Sequence, residues 1–189
     1  MKRKRLSGYW EGFELDRRRE NETEENLILL PADINEILDK YGHLLKSYPN
    51  LHDRESIYAN YKRTNKRLEV LFPFIEHPFH GVTGLHAVEI YNEAGYVRLY
   101  QYHWKIIIPK IGVQLNHISG WGNEPHNAEW TPTDYKTNTE PHHHHYDPSD
   151  RRKRKENYNI RTLDAAFAFV AKYLESGEKY ELIKGDPKN

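Results

Sequence analysis

The chain has 189 residues with Lys plus Arg and Asp plus Glu balanced at 28 each, so net charge singles out no polyanionic partner. It has no cysteine, which excludes disulfide scaffolds, thiolate zinc sites and cysteine nucleophiles. No apolar run approaches the roughly 20 residues of a membrane span. The basic start Met1-Lys2-Arg3-Lys4-Arg5 leads into no apolar stretch, so a cytoplasmic protein without a secretory signal or membrane anchor is expected.

Residues 1–26 are charge-dense, and the alternation from Tyr9 to Leu15 predicts an edge strand. Asp33 with Glu36 three residues on has the form of a capping box. Ile34, Ile37, Leu38, Tyr41, Leu44, Leu45 and Tyr48 follow at helical spacing, so a helix is expected over 34–48, stopped by Pro49. A second helix is expected over about 53–71, from a stripe of Ile57, Tyr61, Thr64 and Leu68. Its other side carries Lys62, Arg63, Lys66 and Arg67 and reads first as a solvated face. Together these pieces make a charged N-terminal segment, 1–70, packed on or appended to an α+β core, 71–189, that carries the histidine-rich loop.

The middle of the chain is strand-like. Residues 85–91 end at the turn Asn92-Glu93-Ala94-Gly95. The run Tyr96–Ile108 puts Tyr96, Arg98, Tyr100, Tyr102, Trp104, Ile106 and Ile108 on one face. Val97, Leu99, Gln101, His103, Lys105 and Ile107 point the other way, and a return over 113–119 completes a three-stranded meander. Residues 120–160 carry little apolar periodicity and predict a long irregular loop, a length that usually goes with function. Thr162 then caps a helix whose Leu163, Ala166, Phe167, Val170, Ala171 and Leu174 share a face, ended by Gly177. A short strand over 180–183 can follow. The expected fold is α+β: an antiparallel meander, about 85–119, packed against helices at 34–48 and 163–175.

Ten of the twelve histidines fall between His77 and His145, four of them consecutive. Imidazole titrates near neutrality and is a common metal ligand, so the cluster indicates proton transfer, phosphate binding or metal coordination. If 142–145 is extended, His142 and His144 face one way and His143 and His145 the other. Two imidazoles on one face can share a phosphate or a metal with His126, which like His142 follows a proline. Neutral imidazole suits zinc, with His126, His142 and His144 as one ligand set. The block Arg151, Arg152, Lys153, Arg154 and Lys155 has only Asp150 and Glu156 as chain neighbours, which makes it the candidate phosphate-facing patch.

Four segments in order, Gly84–Glu89, Leu99–Trp104, Asn123–His126 and Pro141–His145, resemble the TumE-like toxins of bacterial toxin–antitoxin systems. The resemblance covers about 84–147 and the closing helix. It carries onto Glu89, Tyr100, Tyr102, His103, Asn123, Pro125, His126, Pro141, His142, His143 and His145. Gly120 and Gly122 stand where that family has an Arg and an Asp, which leaves activity lost or those charges supplied from elsewhere. The resemblance implies a small toxin neutralised by a cognate antitoxin protein. Metal-independent RNA cleavage needs a base for the 2′-hydroxyl, cations for the phosphate and an acid for the leaving oxygen. The expectation is such cleavage without a cofactor, with His126, His143 and His145 as acid, base or phosphate-binding groups. Glu89 would orient an imidazole or act as base, and Tyr102 and His103 complete the candidate set, although they lie on opposite strand faces. Two alternatives stand beside it: a histidine-ligated metal module, and a non-catalytic subunit binding nucleic acid or a partner.

Overall fold

The computed structural model describes residues 28–48, 59–109, 113–124, 133–150 and 152–181. The edge strand expected over 9–15 lies outside them, as do His126 and Arg151. Seven strands form one sheet: β1 Ala59–Arg63, β2 Arg67–Pro73, β3 Thr83–Tyr91, β4 Val97–Ile108, β5 Val113–Gly122, β6 His143–His145 and β7 Arg154–Glu156. Every neighbouring pair is antiparallel, and the sheet order is the sequence order. With helices α1, Ile34–Tyr41, and α2, Leu163–Ser176, this is the expected α+β meander, extended by two strands on each side.

Both helices start where the sequence signals them. Asp33 Oδ1 accepts from the amides of Asn35 and Glu36 at 2.9 and 3.2 Å. Thr162 Oγ1 accepts from Ala165 N at 3.2 Å, and Gly177, at φ 68°, closes α2 by donating to Tyr173 O. All six apolar residues predicted for α2 are buried. Phe167 lies at their centre, stacked on Tyr41 of α1 at 5.1 Å and edge-on to Phe72 at 4.8 Å and Phe74 at 5.7 Å. Burying each such large side chain is worth about 1.5–3 kcal/mol, which clamps α1 and α2 on one face of the sheet. That helix face takes Leu68, Val70 and Phe72 from β2, Leu85 and Ala87 from β3, Tyr100, Tyr102 and Trp104 from β4, and Trp121 from β5. The face predicted for β4 is the one the helices cover.

Two helix expectations are corrected. The helix expected to reach residue 48 ends at Tyr41 and continues only as a 3-10 turn, Gly42–Leu44. Beyond it Leu45 pairs with Phe74, and Lys46 N donates to Pro73 O at 3.0 Å, so strand-like pairing at the end of β2 takes over. No helix forms over the described part of 53–71; it is the hairpin of β1 and β2. Thr64 Oγ1 accepts from Lys66 N and Arg67 N at the turn. Leu68, Val70 and Phe72 then alternate into the core, a period of two that fits the sheet. β2 runs through residues 70 and 71, where the sequence reading placed the edge of the core. Residues 180 and 181 are not strand.

Candidate functional site

The stretch expected to be an irregular loop contains β6, so the four histidines are divided by strand alternation. His144 pairs with Trp121 and shares its helix face, stacked on that indole at 5.1 Å with Nε2 2.6 Å from Ser119 Oγ. His142 reaches Tyr100 Oη through Nδ1 at 3.0 Å. His143 and His145 lie opposite Gly122 and Gly120 and point to the other face. Their rings meet edge-on at 4.7 Å.

Glu124, just past β5, completes the group. Its Oε2 is 3.8 Å from His143 Nε2 and its Oε1 is 3.9 Å from His145 Nε2. One ligand atom from each of Glu124, His143 and His145 fits within 4.8 Å of the others. His143 Nδ1 lies 2.8 Å from Pro141 O, and a carbonyl only accepts, so Nδ1 carries the proton. Nε2, on the other edge of the ring, faces the carboxylate, and a proton or a cation between them stabilises the arrangement. Burial opposes ionisation of Glu124, but His143, the backbone amide of Glu124 and His145 together outweigh it and hold the carboxyl below its ordinary range.

The two glycines make room for this group. A Cβ on Gly120 would stand 2.5 Å from His103 Cδ2, and one on Gly122 would collide with Glu124 Oε2. The carboxylate of Glu124 thus fills the place of a side chain at 122. Gly122→Ala is expected to push Glu124 away from His143 and His145 while the sheet persists. Circular dichroism with zinc titration checks it; unchanged affinity would show that Glu124 does not hold the site.

The imidazoles continue across the sheet. His145 meets His117 at 5.8 Å, His117 stacks with His103 at 5.8 Å, and His103 pairs with His86 across β3 and β4. His86 Nε2 is 3.6 Å from Glu69. On the other side Arg154 pairs with His145 across β6 and β7, so this member of the basic block borders the group. The block is not acid-free, as its chain neighbours implied. Arg152 pairs with Asp150 at 3.0 Å, Lys153 with Asp147 at 2.8 Å and Arg154 with Glu140 at 3.5 Å, while Lys155 lies over the Tyr146 ring.

The expected residues therefore do not form one group. His143, His145 and His103 share a face. Glu89 and Tyr102 meet on the helix face, where Glu89 Oε1 accepts from Tyr102 Oη at 2.8 Å. Glu89 Oε2 accepts from Tyr91 Oη and from Ala32 N, both at 3.1 Å, tying residue 32 to the sheet. Burial pushes this carboxyl up from its usual range. His142 and His144 are likewise turned from the site; of the expected ligand set His126 lies outside the described residues, and among the described ones Glu124, His143 and His145 are the candidate ligands that converge. Asn123 serves the backbone: its Oδ1 accepts from Tyr100 N and its Nδ2 donates to Arg98 O. Sequence reasoning missed Glu124 and His117. The signal available for Glu124 was the pair of glycines before it, vacancies that a nearby long side chain fills.

No protein-family model, curated protein or solved structure matches this chain.

Proposed function

We propose that Glu124, His143 and His145 hold a divalent cation, zinc by ligand type, and that the chain uses this centre to cleave RNA as a toxin-like protein. The convergence of the three ligand atoms within 4.8 Å carries the reading. The bond from His143 Nδ1 to Pro141 O supports it, because metal-bound histidines commonly donate their other N–H to a carbonyl. Tetrahedral zinc with bonds of roughly 2.0–2.1 Å sets its ligand atoms about 3.4 Å apart, so three atoms that lie within 4.8 Å of one another close by up to about 1.4 Å on binding. Three protein ligands with a fourth position open is the pattern of catalytic zinc, which polarises a phosphoryl oxygen. Arg154, opposite His145 across β6 and β7, is a cation that could meet a phosphate at this centre. RNA as substrate, a cognate antitoxin as partner and the cytoplasm as place of action rest on the ordered motifs shared with TumE-like toxins.

A second reading needs no metal. A protonated His143 would aim Nε2–H at Glu124, a carboxylate–imidazolium pair able to act as base and acid on the 2′-hydroxyl and the leaving oxygen. The lowered carboxyl of Glu124 favours it. Induced expression, with growth and total RNA followed together, tests both readings alongside elemental analysis of the purified chain. The metal reading expects stoichiometric zinc and RNA breakdown that a chelator stops. Breakdown that survives chelation leaves only the acid–base reading, and intact RNA with normal growth removes both.

A further inference from the structure

The two basic runs of the chain fare differently in the fold. In the block after the histidines, Arg152, Lys153 and Arg154 each have a carboxylate partner. In the β1–β2 hairpin, Lys62, Arg63 and Lys66 are exposed, and among the described residues no carboxylate forms an ion pair with them. Glu69, opposite Lys62, and Glu89, within the field of Arg63, are engaged elsewhere. Glu69 lies 3.0 Å from Arg67 and 3.6 Å from His86, and the buried Glu89 accepts from Tyr102, Tyr91 and Ala32. Exposed Glu93, in the β3–β4 turn, pairs with none of the three cations. Thr64 fixes the turn that carries Lys66, since its Oγ1 accepts from Lys66 N and Arg67 N. Tyr61 beside them is 39% exposed and offers a ring on which a base can stack.

Register relates this hairpin to the candidate centre. Lys62 pairs with Glu69, Glu69 with Val88, Val88 with Gln101, Gln101 with Gly122 and Gly122 with His143. Cross-strand partners share a face, so Lys62 lies in the row and on the face of His143. Arg63, opposite Leu68, points to the other face, and Lys66 stands at the tip. From β1 to β6 the sheet takes five strand-to-strand steps, roughly 24 Å at about 4.8 Å each. A stacked strand at about 3.4 Å per nucleotide crosses that span in roughly seven nucleotides. We propose that the β1–β2 hairpin is a second RNA contact, in which Lys62, Arg63 and Lys66 hold the phosphate backbone about seven nucleotides from the phosphate at Glu124, His143 and His145. This rests on the reading of RNA as the substrate and adds a length to it: a shorter RNA reaches only one of the two contacts.

The test follows binding of the full chain to fluorescein-labelled 2′-O-methyl oligouridylates, which lack the reactive hydroxyl, by fluorescence anisotropy over a range of KCl. Lengths of about 16 and about 4 nucleotides lie on either side of the span. The wild type is expected to bind the longer RNA more tightly. Lys62→Gln, Arg63→Gln and Lys66→Gln combined are expected to weaken that binding about 10–100-fold near 0.1 M salt and to erase the advantage over the shorter RNA. The slope of log affinity against log salt should fall by about 2, the yield of three phosphate contacts to a single strand. Lys62→Arg with Lys66→Arg keeps the charges and is expected to keep the slope. Unchanged affinity and slope in the triple variant overturn the proposal and leave these cations guarding an edge strand against aggregation. If the triple variant aggregates, Lys66→Gln alone, in the turn and outside both strands, decides: a slope lower by about 0.7 supports the proposal and an unchanged slope overturns it. A wild type that binds neither RNA also overturns it. Cleavage of unmodified RNA is followed separately. Hairpin-dependent binding without cleavage retires the cleavage reading and keeps this one, and cleavage with hairpin-independent binding does the reverse.

Discussion

If the centre cleaves RNA as proposed, Glu124→Gln is expected to lower cleavage by about 10²–10⁴-fold on the metal-free reading, the usual cost of losing an acid–base group, to lower it through loss of the bound cation on the metal reading, and to rescue growth in an induced culture on either. The substitution keeps the shape that fills the space above Gly122 and removes only the charge. His143→Ala and His145→Ala should fall in the same range. They also leave a cavity, so each needs a thermal melt beside the activity assay. His144→Ala is not the neutral control that its place outside the family pattern suggests. Its ring is 6% exposed, bonded to Ser119 and stacked on Trp121, so its loss should appear first as lowered stability. Unaltered toxicity of Glu124→Gln would remove this centre from the mechanism.

The protein should lose stability steeply on mild acidification. Burial holds His103 and His144 well below their ordinary value, so the folded chain keeps both neutral while the unfolded chain protonates them. Below about pH 6.5 the unfolded state therefore binds more protons, and stability falls as pH falls, by about 1.4 kcal/mol per pH unit for each group. For His144 the loss continues until pH reaches about 2. Glu89 acts in the opposite direction: burial raises its carboxyl, so the folded state takes up a proton earlier and regains part of the loss above pH 4.5. For His103 and His144 against Glu89 the balance is a loss of roughly 1.4–3 kcal/mol per pH unit between pH 6 and 4.5, and the half-buried His142 and His80, also held low by burial, act in the same direction. Urea denaturation at pH 7.5, 6 and 5 measures it. A midpoint that stays constant over that range would mean that these imidazoles are solvated in the folded protein.

Local signals carried the parts of this fold whose energetics are local. Thr162, the apolar face from Leu163 to Leu174 and Gly177 identify α2, because capping and a period of 3.6 are properties of consecutive residues. The alternation of Tyr100, Tyr102 and Trp104 against Leu99, Gln101 and His103 was equally legible, and so was the division of His142–His145 into two pairs. What lay between 53 and 71 was not: Tyr61, Thr64 and Leu68 fit a helix stripe, Leu68, Val70 and Phe72 fit a strand, and pairing with β3 decided for the strand. Nor did the chain reveal which histidine pair faces the site. That choice is the register of β6 against β5, in which Gly120 and Gly122 lie opposite His145 and His143, residues more than 20 positions away. Gly120 and Gly122 read as missing charges in the sequence, and only the cross-strand neighbours make them the spaces that His103 and Glu124 occupy. The basic block reads as unpaired because Glu140 and Asp147 reach it through strand pairing and a turn, not through adjacency. A sheet places residues by register across strands, and register is a tertiary quantity.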